Sequence, residues 1–175
     1  MKGKAEQGFT LIELLIVVAI ISIIAAIAVP GLLRARMTGN ETSAIASLKV
    51  TTSSQVAYSA SWGNGGYAAS YAILGTPPTG TKEAFISSDL GHAAPIQKSG
   101  YNFALGPGAG STPGPNDGAG TATISAWFAT ADPQTFGTTG TRHFAVNASN
   151  TIWQNTADAA LTEPFTTGAT ITPVQ

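Results

Sequence analysis

The chain has 175 residues and a formal net charge of −1, and only 10% of its residues are charged. That balance excludes the clustered basic face of a nucleic-acid binder, so no nucleic-acid partner is expected. The absence of cysteine excludes a disulfide framework in any redox compartment. The length suits one domain, and with a membrane-spanning segment set aside roughly 140 residues remain for one modest core.

The first eight residues, MKGKAEQG, are polar and basic and end in Gly8. From Phe9 to Val29 the chain is apolar apart from one carboxylate, Glu13. This run is long enough to cross a hydrocarbon core of ~30 Å as a helix. A carboxylate inside it costs ~2.5 to 3.5 kcal/mol and needs a partner, unless it snorkels to the near surface. A secretory signal fits poorly, because the run exceeds the usual apolar length and passes straight into Pro30-Gly31-Leu32-Leu33-Arg34 without a small-residue cleavage site.

Leu32, Leu33, Met37, Ile45, Leu48 and Val56 continue a helical pattern to Ser61. A helix over 9–61 is roughly 80 Å long. Pro30 removes the hydrogen bond to the Ala26 carbonyl and Gly31 adds freedom, so a kink is expected there. Beyond it, Ile45, Leu48, Thr52 and Val56 suggest the face turned to a core. Trp62-Gly63-Asn64-Gly65-Gly66 is a helix stop, because Asn and Gly accept left-handed backbone.

Residues 62–100 read as an irregular connector with a turn at 75–80, a short helix around Glu83 to Leu90, and Tyr67, Tyr71, Leu74, Phe85 and Ile86 as anchors. Residues 101–175 read as an antiparallel head of about three or four strands at Tyr101–Leu105, Thr123–Ala131, Arg142–Val146 and Thr151–Gln154. Between the first two, 106–120 is so rich in Gly and Pro that a flexible surface loop is expected.

Gly8-Phe9-Thr10-Leu11-Ile12-Glu13, the apolar helix and Pro30 together resemble the amino terminus of type IV pilins and type II secretion pseudopilins. The resemblance implies an α+β fold, a long kinked amino-terminal helix on a small antiparallel sheet. It also implies a leader over 1–8, removed by prepilin peptidase between Gly8 and Phe9, and N-methylation of Phe9. Loss of the leader takes the side-chain charge to about −2, since Lys2, Lys4 and Glu6 go with it. Glu13 then acquires a partner, the Phe9 amine of the neighbouring subunit, and opposite charges in a dry filament core offset each other's desolvation.

Lys2 and Lys4 before the span favour a cytoplasmic amino terminus, whereas Arg34 and Arg36 after it oppose that bias. Placement of the head outside the inner membrane therefore follows from the resemblance. What the resemblance implies is a subunit that polymerises with copies of itself through a pilus assembly platform and its ATPase, giving an extracellular filament for attachment and twitching motility. The alternatives are a type II secretion pseudopilin and a minor tip pilin acting as adhesin or in DNA uptake. Many type IV pilins close the carboxyl-terminal region with a disulfide, which this chain cannot do; 98–105 and 137–153 look like cysteine-free pilins.

No enzyme is expected. Asp89 and His92, with Ser87 and Ser88 beside them, are the nearest approach to a hydrolytic set and read as loop residues. No cofactor is expected either. Calcium is weighed because pseudopilins resembling this chain commonly hold it in a carboxyl-terminal loop, but Asn116 and Asp117 form one acidic point and Asp132, Asp158 and Glu163 are scattered. Trp62, Tyr67, Tyr71, Trp127, Phe128, Phe144 and Trp153 read as core anchors rather than an electron path. The acceptor patterns at Asn40 and Asn147 are too short to carry a role.

Overall fold

The computed structural model describes residues 8–174, so the leader residues Lys2, Lys4 and Glu6 lie outside the described residues. The chain divides into two compact units, one ending at Arg36 and the other running from Met37. The helix α1 (Leu11–Ser61) contributes to both, with Pro30 inside it. In the first unit every described residue is exposed. Ile12, Val17 and Val18, spread around the helix, are 73%, 50% and 53% exposed, so apolar side chains point outward all round it. A helix apolar on every side needs a surrounding that is itself apolar.

In the second unit α1 lies on a sheet. Eight strands follow the helix, β1 (Ile96–Lys98), β2 (Tyr101–Pro107), β3 (Pro113–Asn116), β4 (Ala122–Ile124), β5 (Trp127–Pro133), β6 (His143–Asn147), β7 (Ile152–Asn155) and β8 (Ile171–Pro173). Six form one sheet in the order β1-β2-β5-β6-β7-β8, and β3 pairs with β4 in a ribbon of its own. Every pairing is antiparallel. The α+β architecture matches the expectation, but the strand number does not. β1, β3 and β8 are three or four residues long, too short to show an alternating pattern.

Strand pairing sorts the side chains into two faces. The register Ala129↔Val146 and Val146↔Ile152 puts Trp127, Ala131 and Phe144 on the face that shares the core with Ala44, Leu48 and Tyr58 of α1. The opposite face carries Phe128, Thr130, Asp132, His143, Ala145, Asn147 and Trp153. Phe165 covers part of it, 5.4 Å from Trp153 and 5.8 Å from Phe128 between ring centroids. Phe128 and Trp153 therefore anchor the carboxyl-terminal segment rather than the helix–sheet core.

The helix ends where expected. Gly63 N–H donates to Tyr58 O at 2.7 Å, and Asn64 and Gly65 take φ of 50° and 90°. The connector differs: the helical turn is α2 (Tyr71–Leu74), and no helix forms over 83–90. There Phe85 and Ile86 donate their N–H groups to Leu74 O, so the chain folds back on α2. The reading of 106–120 as a flexible loop is also corrected. Pro107 ends β2, Pro113–Asn116 forms β3, and Asp117 is buried. Proline is tolerated in this short two-stranded ribbon, where a missing N–H removes no bond from the main sheet.

Gly75 and Gly91 bring two stretches of the connector into backbone contact. A Cβ on Gly75 would sit 1.9 Å from Gly91 O and 2.4 Å from its Cα, with no flexible side chain to yield. Gly75→Ala is expected to destabilise the head by about 2 kcal/mol or more through overpacking. Thermal unfolding of the two chains side by side checks this.

Candidate functional site and its anchorage

The amino-terminal segment presents its candidate residues in the open. A Cβ placed on Gly8 would meet nothing within 4 Å beyond its chain neighbours, and Phe9 is 93% exposed. Thr10 and Glu13 come together across the first turn of α1. The Thr10 N–H and hydroxyl both donate to Glu13 Oε2, at 2.9 and 2.6 Å, and the Glu13 N–H reaches Thr10 Oγ1 at 3.3 Å. This is a reciprocal capping box, Thr at the cap and Glu three residues on. It satisfies orphan helix donors and sets the carboxylate against the positive end of the helix dipole. The T-x-x-E spacing of Thr10 and Glu13 is the sequence signal for such a box. Glu13 Oε2 is thus engaged within the chain.

Pro30 and Gly31 stand together inside the helix, both exposed. Leu11–Ser61 is the one helix among the described residues long and apolar enough to cross a membrane, by length and composition.

The second half of α1 anchors the head through polar side chains. The expected apolar stripe is corrected here: of Ile45, Leu48, Thr52 and Val56, only Leu48 is buried and Val56 is 51% exposed. The buried face carries Glu41, Ser47, Thr51, Ser54, Gln55 and Tyr58 instead. The Thr51 and Tyr71 hydroxyls lie 3.0 Å apart, and Ser54 donates to Phe85 O at 2.7 Å. Gln55 donates to Ala68 O and accepts from Ala68 N–H, at 2.8 and 2.9 Å, which gives that backbone a strand-like partner. Tyr58 donates to Asp117 Oδ2 at 2.8 Å.

Glu41 makes the strongest of these ties. Its Oε1 accepts from the Thr141 N–H and hydroxyl at 2.8 and 2.9 Å, and its Oε2 from Arg142 Nε and Nη2 at 3.0 and 2.7 Å. Arg142 also donates to Gln154 and lies 5.2 Å from the Phe144 ring centroid. Burial opposes ionisation of Glu41, but the Thr141 N–H and the Arg142 guanidinium outweigh it and hold the carboxyl below its ordinary range. Asp117 behaves alike: burial opposes its charge, while the Thr121 N–H, the Tyr58 hydroxyl and the Ala119 N–H hold its carboxyl down.

The residues weighed for other chemistry are accounted for. Asp89 binds Lys98 at 2.6 Å and accepts from Ser87, while His92 Nδ1 lies 2.9 Å from Ala93 O, so no nucleophile–base pair forms there. Asp117 is committed to Tyr58 and its own loop, and Glu163 to Ala109 N–H and the Asn147 amide. No group of three or more His, Cys, Asp and Glu able to hold a metal occurs among the described residues. Asn40 donates to Thr139 O, which makes that amide part of the helix–sheet tie.

One comparison with known proteins falls on the amino terminus. Residues 3–29 match the family described as the prokaryotic N-terminal methylation motif. A stretch of 39 residues is 59% identical to the type IV wide pilus major component PilA4 of Thermus thermophilus, covering 22% of this chain and 30% of that protein. The match thus spans less than a third of that relative's length. No solved structure matches the chain.

Glu41 and Asp117 have pKa values below those of the unfolded chain, so their contribution is complete above the ordinary carboxylate pKa of ~4 and is lost as pH falls through their folded values. Glu41→Gln is expected to destabilise the head by about 1 to 2 kcal/mol at neutral pH, less than a fully buried pair because Arg142 is partly exposed. The gap to the parent chain should narrow in acid, as the pH falls through the lowered folded-state value of Glu41 and the carboxyl is itself protonated. Denaturant unfolding at neutral and acid pH measures both.

Proposed function

We propose, from the chain's membership of the type IV pilin family, whose amino-terminal methylation motif it carries, that it is the structural subunit of a type IV pilus. The observation that supports this reading is an apolar helix half with no buried residue, placed directly behind the processing motif. Nothing in the described chain covers it, so it requires either a bilayer or a bundle of like helices. Those two surroundings are successive stages of one life. The subunit is first held in the inner membrane with its amino terminus in the cytoplasm. It is then cut by prepilin peptidase after Gly8 and N-methylated at Phe9. The assembly platform and its ATPase draw it into a filament that leaves the cell.

Assembly is the mechanism, and no catalytic step is assigned to the chain itself. Transfer from lipid to helix bundle exchanges one apolar surrounding for another, so apolar area alone sets no register. Glu13 does so. Its carboxylate at the first turn meets the Phe9 amine of the neighbouring subunit, a contact that forms only in the correct stagger. Head-to-tail contacts of this kind do not close on themselves and propagate as a helix. Pro30 and Gly31 supply a kink of the helix in that packing. Surface attachment and twitching motility are the outputs of such a filament. The relative's description as a major pilus component supports the pilus over a secretion pseudopilus.

Replacing Gly8 with a bulky residue is expected to leave uncut precursor in the membrane, and a mature-sized band on immunoblot would contradict the cleavage site. Glu13→Ala is expected to be cut and methylated normally but to yield at least about tenfold fewer sheared filaments, as loss of one buried charge pair implies. Filament counting by electron microscopy, with mass spectrometry of the methylated Phe9 terminus, reads both. Parent-level yield from Glu13→Ala would remove that residue from docking.

A further inference from the structure

His143 is a buried titratable group that filament assembly does not use. It opens β6 on the sheet face away from α1, with 9% of its side chain exposed. Asp132 on β5 places Oδ1 2.7 Å from Nδ1. The Phe136 ring stacks on the imidazole, 5.6 Å away and inclined by 17°. Asp158, in the segment after β7, holds Oδ1 3.5 Å from Nε2 and is itself 70% exposed. Across the ladder Asn155 is uncharged; its amide donates to Ala159 O and its Oδ1 accepts from Ala157 N–H, shaping the turn that carries Asp158. Arg142, the neighbour in sequence, is committed to Glu41 and Gln154. Nε2 is closed to solvent and has no hydrogen-bond partner among the described residues.

The arrangement is incomplete in one protonation state and complete in the other. An ionised carboxylate only accepts, so Asp132 requires the proton on Nδ1. A neutral ring then turns the bare lone pair of Nε2 toward the Asp158 carboxylate, acceptor against acceptor. A proton taken from solvent onto Nε2 makes that nitrogen a donor, and both ring nitrogens of the cation then face carboxylates. We propose that His143 is a proton-operated latch, which closes the 156–160 segment onto the sheet through Asp158 when the imidazole is charged and releases it when the ring is neutral. The segment is surface, so the latch makes one face of the head tighter in mildly acidic surroundings than in mildly alkaline ones. It acts within one head and does not depend on the filament reading.

Amide hydrogen exchange of the full chain in detergent micelles, with a chelator present, tests this at about pH 5 and about pH 8, the range in which histidine changes charge. After correction for intrinsic exchange, peptides covering 156–160 should be about threefold better protected at the lower pH, the scale of a partly exposed charged contact. Asp158→Ala lies at the surface and should fold normally while abolishing that difference; His143→Gln should show the weaker protection at both values. Equal protection of the parent chain at the two pH values, or a difference that survives Asp158→Ala, overturns the latch.

Discussion

The head depends on a polar face of α1 that is buried and hydrogen-bonded along its length. Residues spread along the helix each tie a different stretch of chain: Glu41 the 141–142 segment, Thr51 α2, Ser54 the 85–86 fold-back, Gln55 the start of the connector, Tyr58 the Asp117 loop. A buried polar group left unpaired costs more than a made bond contributes, so these ties specify position more than they add stability. Apolar packing from Leu48, Tyr71, Trp127 and Phe144 supplies the drive to collapse. The hydrogen bonds decide which segment sits against which turn.

That division of labour explains how a head without cysteine closes its carboxyl-terminal region. β8 adds to the sheet at β7, and Val174 N–H donates to Ile152 O. Phe165 lies on Trp153 and Phe128, while Glu163 joins Ala109 N–H to the Asn147 amide. Ladder, ring stack and carboxylate bridge fasten the tail at separate points, each local and reversible. A disulfide acts differently, by restricting the unfolded chain.

The two halves of α1 obey opposite rules within one continuous helix. Residues 8–36 are exposed and mostly apolar, whereas the later turns bury Ser, Thr, Gln and Glu within the head and leave Val50 and Val56 about half exposed. The buried face thus mixes Ala44, Leu48 and Tyr58 with polar side chains, and the exposed face carries two valines beside Thr42, Lys49 and Ser53.

Local chemistry made the amino terminus legible from the sequence: an unbroken apolar run, a lone carboxylate, a glycine before it and a proline after it each act within a few residues of themselves. The same holds for the helix stop at Asn64 and Gly65, and for the strands around Tyr101, Phe128 and Phe144, where the alternating or β-branched pattern runs for several residues. The polar face of α1, the pairing of 113–116 with 122–124, the absence of a helix over 83–90 and the setting of His143 were decided only by tertiary structure. Their partners lie from a few to a hundred residues away, and a Ser, Gln or Glu carries no mark in its own neighbourhood of the carbonyl or guanidinium it will meet. Whether such a residue is surface or core is settled by what the fold brings to it.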